Sequence, residues 1–157
     1  MEIRKFQASD ISQIVQLFYE TIHSVNKKDY TQEQLDAWAS KEDEELRLAS
    51  WRESMSNNIS FVALIEGIIV GFSDMTRKGH LDRLYVHKDF QGQGIASALV
   101  NTLESEASKL GLTELDTDAS ITAKPFFEHR GYQVVKSQCV ERKGIQLVNF
   151  KMIKPLR

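Results

Sequence analysis

The chain is poor in the features that would place it in several common classes. Its 157 residues include one cysteine, Cys139, which excludes an intramolecular disulfide or a cysteine-cluster metal site and fits a reducing cytosol. Cys139 itself reads as a buried or half-buried small residue rather than a nucleophile. The opening residues Met1-Glu2-Ile3-Arg4-Lys5 carry no apolar signal core, and no window approaches the roughly eighteen uninterrupted apolar residues of a membrane span. Basic excess is missing as well: the formal net charge is −2, which disfavours nucleic acid and other polyanionic partners. Repeats, low-complexity segments, linkers and His/carboxylate clusters at metal-ligand spacing are all lacking, so no metal is expected. What remains is ordinary, with 41% hydrophobic and 27% charged residues in a length suited to one self-supporting core. The expectation is a single cytoplasmic domain over residues 1–157, free of membrane and nucleic acid.

The periodicity sets out the elements. Residues 2–6 read as a strand, after which Ser9 or Asp10 can cap a helix whose buried face is Ile11, Ile14, Val15, Phe18, Ile22 and Val25. Thr31-Gln32-Glu33-Gln34 has the form of a capping box opening a shorter helix through Leu35 and Trp38. The charged segment Lys41 to Arg52 can continue as a helix through Leu46, Leu48 and Trp51. Ile59 to Ile65 and Ile68 to Phe72 flank Glu66-Gly67 as a tight antiparallel hairpin, and His80 to Val86 is the next strand. Ala96, Leu99, Val100, Leu103, Ala107 and Leu110 line one helix face that Gly111 can end. A strand over Thr113 to Asp118, a short helix over Ala123 to His129, and strands over Tyr132 to Val140 and Gln146 to Met152 complete the chain. The succession indicates an α/β or α+β domain on a mixed sheet with helices on both faces.

The most informative stretch runs from Leu84 to Ala96, where an apolar strand ends in a glycine-rich turn that opens a helix. Glycines one residue apart let the backbone bend where a Cβ would clash, and unpaired N–H groups of the first helical turn then present themselves to an anion such as a pyrophosphate. A P-loop needs two glycines four residues apart followed by Lys and Ser or Thr, which is absent. A dinucleotide fingerprint fits better, with Gly92 and Gly94 and an acid at Asp116 about twenty residues on. Ser97, however, occupies its third glycine position, and His87 to Gln91 separate strand from turn.

Gln91-Gly92-Gln93-Gly94-Ile95-Ala96 resembles the Gln/Arg-x-x-Gly-x-Gly/Ala motif of the GNAT N-acetyltransferase superfamily. Downstream, Ser120, Ala123, Phe127 and Gly131-Tyr132 resemble its Asn-x-x-Ala-x-x-x-Tyr-x-x-x-Gly-Phe pattern in spacing, with Ser in place of Asn and Phe127 in place of Tyr. The resemblance implies a mixed, mostly antiparallel sheet of about seven strands flanked by about four helices, with a splayed V between strands four and five that holds acetyl-CoA. It further implies that backbone N–H groups from Gln91 to Ala96 grip the pyrophosphate, and that Leu84, Tyr85 and Val86 pair with the pantetheine arm and polarise the thioester carbonyl. Ser120 and Phe127 complete the expected cofactor contacts. The implied activity is direct acetyl transfer from acetyl-CoA, with CoA as product, to a primary amine of a small molecule or protein. Many relatives dimerise, so a homodimer is compatible with the resemblance. The alternative from another class is a non-catalytic acyl-CoA sensor or regulatory module, for which Phe127 is the sequence argument.

Transfer to an amine requires a base for the ammonium and a proton for the departing thiolate. His80 begins the strand that ends at Val86, and strict alternation places it on the face of Asp82, Leu84 and Val86. A catalytic Glu occupies the matching place in the histone acetyltransferase branch. An imidazole exchanges protons near neutral pH, so His80, helped by Asp82, is expected to deprotonate the acceptor directly or through water; the competing reading is a capping or exposed histidine. Phe127 cannot donate a proton, leaving Tyr132, Cys139 or water as donors. Tyr19, His23, Tyr30 and Trp38 are expected to contact the acceptor, together with Asp116 and Asp118 of the fifth strand. The acidic run Glu42 to Glu45 reads either as a solvated face or as an attractor of cations.

Overall fold

A computed structural model describes residues 1–156. Seven strands, β1 (Glu2–Lys5), β2 (Ile59–Ile65), β3 (Ile68–Met75), β4 (His80–Val86), β5 (Glu114–Ser120), β6 (Gln133–Arg142) and β7 (Ile145–Pro155), form one sheet in the order β1-β2-β3-β4-β5-β7-β6. Every neighbouring pair is antiparallel except β4 and β5. The helices are α1 (Ile11–Ser24), α2 (Gln32–Trp38), α3 (Glu44–Asn57), α4 (Ile95–Lys109) and α5 (Lys124–His129). The expected mixed, mostly antiparallel seven-stranded sheet flanked by helices is therefore present. No described helix is long and apolar enough to cross a membrane.

Local chemistry accounts for most of these elements. Thr31 Oγ1 accepts from the Gln34 N–H while Thr31 N–H donates to Gln34 Oε1, closing the capping box that starts α2. Glu66 and Gly67 both have positive φ, 51° and 78°, the conformation a two-residue hairpin with right-handed strand twist requires. Asp10 does not cap α1 with its side chain; its carboxylate turns back to Arg4 Nη1 and to the Gln7 N–H, at 2.9 and 2.8 Å. Leu46 points outward, and α3 packs through Leu48, Trp51 and Met55 instead.

The sheet is covered on both faces. On one, Leu99, Val100, Leu103 and Ala107 of α4 bury against Ala63, Val70, Leu81 and Leu115, each large side chain contributing about 1.5–3 kcal/mol of hydrophobic stabilisation. On the other, Ile14, Phe18 and Ile22 of α1 pack on Val62, Leu64, Ile69 and Phe72. β6 lies at the sheet edge with little cover, so Cys139 is exposed, contrary to the expectation that it is buried.

The feature that positions the site is the parting of β4 from β5. Their ladder has only two pairs, His80 with Asp116 and Leu81 with Thr117. Gly79 permits this close approach: its carbonyl accepts from the Asp116 N–H at 3.0 Å, and a Cβ there would lie 2.9 Å from the Glu114 carbonyl. Immediately beyond, β4 bulges. Asp74 pairs with Arg83 and Met75 with Leu81, leaving Asp82 without a partner on β3. The extra residue raises the local twist and opens the splay between the fourth and fifth strands.

The bulge also overturns the alternation expected for His80. Leu81 joins Leu84 and Val86 in the core beneath α4, whereas His80, Asp82 and Tyr85 border a cavity on the opposite side. Inserting one residue reverses the facing of everything before it, so His80 does not share a face with Leu84 and Val86.

Candidate active site

Two cavities meet at the splay. One, of about 160 Å³, lies between Leu84, Tyr85 and Val86 on one side and Ala123 and Phe126 on the other, with Gln91 and Ala96 at its rim. The second, of about 190 Å³, is bordered by Tyr30, Trp38, His80, Asp82, Asp118 and Asn149. Tyr85 and Ser120 border both.

The first cavity opens toward an N–H-rich loop. Gly92 and Gly94 have φ of 74° and 81°, with open space where a Cβ would stand, so glycine is required there by conformation alone. Among the described residues, no backbone acceptor takes the N–H groups of Gln91 through Ser97, which span the turn and the first turn of α4. The Gln91 side chain is already occupied: its Nε2 donates to the Val86 carbonyl at 2.6 Å and ties the loop to the end of β4. The His87 N–H donates to the Val70 carbonyl of β3, so alternation turns the N–H groups of Leu84 and Val86 and the Leu84 carbonyl toward the side without a strand partner, the Val86 carbonyl being taken by Gln91. An open strand edge leading to a run of free N–H donors has the chemistry to hold an extended diamide arm ending in a pyrophosphate, as in coenzyme A.

Phe127 is not on this wall. It is 2% exposed and stacks edge-on against Tyr132 in the core, while the preceding residue, Phe126, faces the cavity. One helical position rotates a side chain by about 100°, which sequence spacing alone does not resolve. Ser120 is present at the cavity junction, where its Oγ accepts from the Ala123 N–H at 3.0 Å and caps the approach to α5.

In the second cavity His80 lies between two carboxylates. Asp116 Oδ1 lies 2.5 Å from His80 Nδ1, and Asp118 Oδ2 lies 3.9 Å from His80 Nε2. A carboxylate on Nδ1 selects the tautomer with the proton on that nitrogen, leaving the Nε2 lone pair for chemistry. The Thr117 hydroxyl donates to the Leu81 carbonyl at 2.9 Å and locks the two strands together beside this pair. Asp116 is thus placed against His80 rather than on the cavity wall as an acceptor contact. Asp82 borders the cavity but bridges to Arg83 at 3.4 Å, not to His80.

The expected acceptor contacts divide. Trp38 and Tyr30 do border the cavity, although the Tyr30 hydroxyl is committed, donating to the Val148 carbonyl at 2.6 Å and accepting from the Ile121 N–H at 2.9 Å. Burial pushes the Tyr30 phenol above its ordinary range, and does the same more strongly to Tyr85. Tyr19 and His23 lie on another flank of α1, stacked on each other at 4.4 Å, with His23 Nε2 at 3.0 Å from the Ala39 carbonyl. They border neither cavity. Of the suggested proton donors, the Tyr132 hydroxyl is spent on Glu104 Oε2 at 2.8 Å, and Cys139 is on the outer strand. Asn149 was not anticipated; it faces Ser120 across the β5–β7 ladder, and its Oδ1 is buried without a hydrogen-bond partner.

Residues 26–154 match the family model described as an acetyltransferase (GNAT) domain. The chain belongs to the GNAT acetyltransferase family. It is 36% identical over 153 residues to an Escherichia coli protein called uncharacterized N-acetyltransferase YafP, covering 97% of this chain and 94% of that one. The crystal structure of a GCN5-related N-acetyltransferase from Rhodopseudomonas palustris superposes with a TM-score of 0.92 at 33% identity, covering 99% of this chain and 95% of its own. The PaiA N-acetyltransferase of Thermoplasma acidophilum, solved with coenzyme A, shares the GNAT fold at a TM-score of 0.76 and 21% identity, over 98% of both chains.

Proposed function

We propose that this GNAT protein is an acetyl-CoA-dependent N-acetyltransferase that acts on a primary amine by direct transfer in a ternary complex. The observation that carries this reading is the meeting of the N–H-rich cleft with the His80–Asp116 pair at Tyr85 and Ser120. One continuous sheet from β1 to β7 supports treating residues 1–157 as a single acetyltransferase domain.

Acetyl-CoA, when bound, supplies the acetyl group as a thioester whose carbonyl carbon accepts the amine and whose sulfur departs. The N–H groups of Gln91 to Ala96 hold its pyrophosphate, assisted by the positive end of the α4 dipole. The edge of β4 at Leu84 to Val86 holds the pantetheine arm, and Phe126 takes the wall position first expected of Phe127. One main-chain N–H of this edge would supply the dipole that stabilises negative charge on the carbonyl oxygen. His80 Nε2 takes the proton released by the attacking nitrogen, and the Asp116 carboxylate stabilises the resulting imidazolium. Asp82 and Asp118 favour the entering ammonium by charge. No side chain is assigned to protonate the thiolate; solvent does so as CoA leaves.

The test is release of free thiol, followed with a thiol-reactive reporter over a panel of primary amines, beside thermal shifts with acetyl-CoA and NAD. Amine-dependent release supports the transferase. Stabilisation by CoA with no release on any amine identifies the sensor module, for which the hydroxyl-free Phe126 on the α5 side of the cavity is the structural argument. Stabilisation by NAD alone contradicts both.

A further inference from the structure

The cavity holding His80 continues into a larger one of about 400 Å³, with Trp38, Asp82, Tyr85 and Arg142 bordering both. The charges there can be paired off. Arg83 is neutralised by buried Asp74 at 2.5 Å, and Lys143 by Asp43 at 3.1 Å. That second pair also removes Asp43 from the acidic run as a free attractor. Two guanidinium groups are left over, Arg47 and Arg142. Neither has a carboxylate at ion-pair distance among the described residues, and their only polar contacts are backbone carbonyls, Ser40 at 3.3 Å and Glu141 at 3.2 Å. Arg47 is half-buried above the Phe18 ring, 5.1 Å from its centre. Burial disfavours the Arg47 charge, and Asp43 and Glu44 offset this only in part from beyond ion-pair distance, so an arriving anion would be favourable there.

The His80 cavity adds the Asp118 carboxylate to Asp82, which the two cavities share, and the Asn149 Oδ1 there is buried without a hydrogen-bond partner. Trp38 and Tyr85 stand where the two cavities join, and Phe18 and Trp51 line the larger one. We infer that the acceptor is a zwitterionic small molecule: an amine that also carries an anionic group, carboxylate or phosphate, which Arg47 and Arg142 bind while the amine nitrogen faces His80. A protein lysine or a simple alkylamine leaves both arginines unanswered. This assignment deepens the acetyltransferase reading and rests on it for the place of the reacting nitrogen.

The experiment uses matched pairs, phenylalanine against phenethylamine and O-phosphoethanolamine against ethanolamine, with two readouts. The first is kcat/KM for CoA release. The second is binding in the presence of CoA by intrinsic fluorescence, which reports on this site because the chain's two tryptophans, Trp38 and Trp51, both border it. The anionic member of at least one pair is expected to be preferred by about tenfold or more, the scale of one charge-assisted hydrogen bond. Preference in the amino acid pair identifies a carboxylate, and in the ethanolamine pair a phosphate. Arg47→Met and Arg142→Met should each bring the ratio toward one, and Arg142, being exposed, carries little folding risk. Absence of preference in binding, or a preference unchanged in both variants, overturns the inference. Preferential binding lost in the variants but with no CoA release would instead retain the anion site and reject the transferase.

Discussion

The pairing of Asp116 with His80 yields the sharpest mechanistic prediction. Removing the imidazole with His80→Gln deletes the base and should lower kcat/KM by about 10²–10⁴. Asp116→Asn preserves shape but removes the charge from a contact of 2.5 Å. A charge-assisted hydrogen bond contributes about 1.5–3 kcal/mol, which fully expressed is about 10- to 150-fold in rate. Both side chains remain about one-third exposed, at 35% and 34%, and solvent screening moves the expectation to the lower end, about tenfold. Because Asp116 acts only through His80, the double variant should be no slower than His80→Gln alone. Initial rates of CoA release on one amine with all four proteins complete the cycle. Multiplication of the two single losses in the double variant would refute the pairing, as would a fully active Asp116→Asn.

Three further outcomes follow from the geometry. Gly94→Ala and Gly111→Ala introduce a Cβ at φ of 81° and 77° into open space, so each should cost about 1–2 kcal/mol of stability by urea unfolding. Only Gly94→Ala should also reduce the thermal shift produced by acetyl-CoA; equal losses would argue against the N–H cradle. Tyr132→Phe should cost about 1 kcal/mol through the Glu104 hydrogen bond yet leave the transfer rate within about twofold, and a large rate loss would make Tyr132 the missing acid. Burial opposes ionisation of Asp10, but hydrogen bonds from Arg4 and the Gln7 N–H prevail and hold its carboxyl below the usual range. A depressed folded value stabilises above the unfolded pKa of about 3.9 and is lost as pH falls through the folded value. Asp10→Asn should therefore lower stability near neutral pH, with the difference from wild type shrinking in acid; a constant difference would contradict the ion pair.

The elements were legible because they rest on local rules. Helical periodicity marks α1 and α4, the Thr31 box opens α2, and Glu66-Gly67 makes the hairpin. The glycine turn was legible for the same reason, since positive φ at Gly92 and Gly94 is a property of those residues themselves. What was hidden depends on pairing across the sheet. The bulge at Asp82 exists only relative to β3, and it decides which way His80 faces. Asp116 lies 36 residues from His80 and meets it only through a two-pair parallel ladder. Phe126 and Phe127 are adjacent aromatic residues that only the packing of α5 distinguishes. Arg47, Arg142 and Asn149 come from three different elements, and their unpaired state is visible only once every neighbouring charge has been matched.

Incubation of the wild-type protein with acetyl-CoA and the amine panel, with products resolved by mass spectrometry and free CoA counted in parallel, tests the central claim most directly. An N-acetylated amine formed in equal amount to released CoA, and abolished or strongly slowed in His80→Gln, is the predicted result. Binding of acetyl-CoA without any acetylated amine, or transfer at an undiminished rate in His80→Gln, would contradict it.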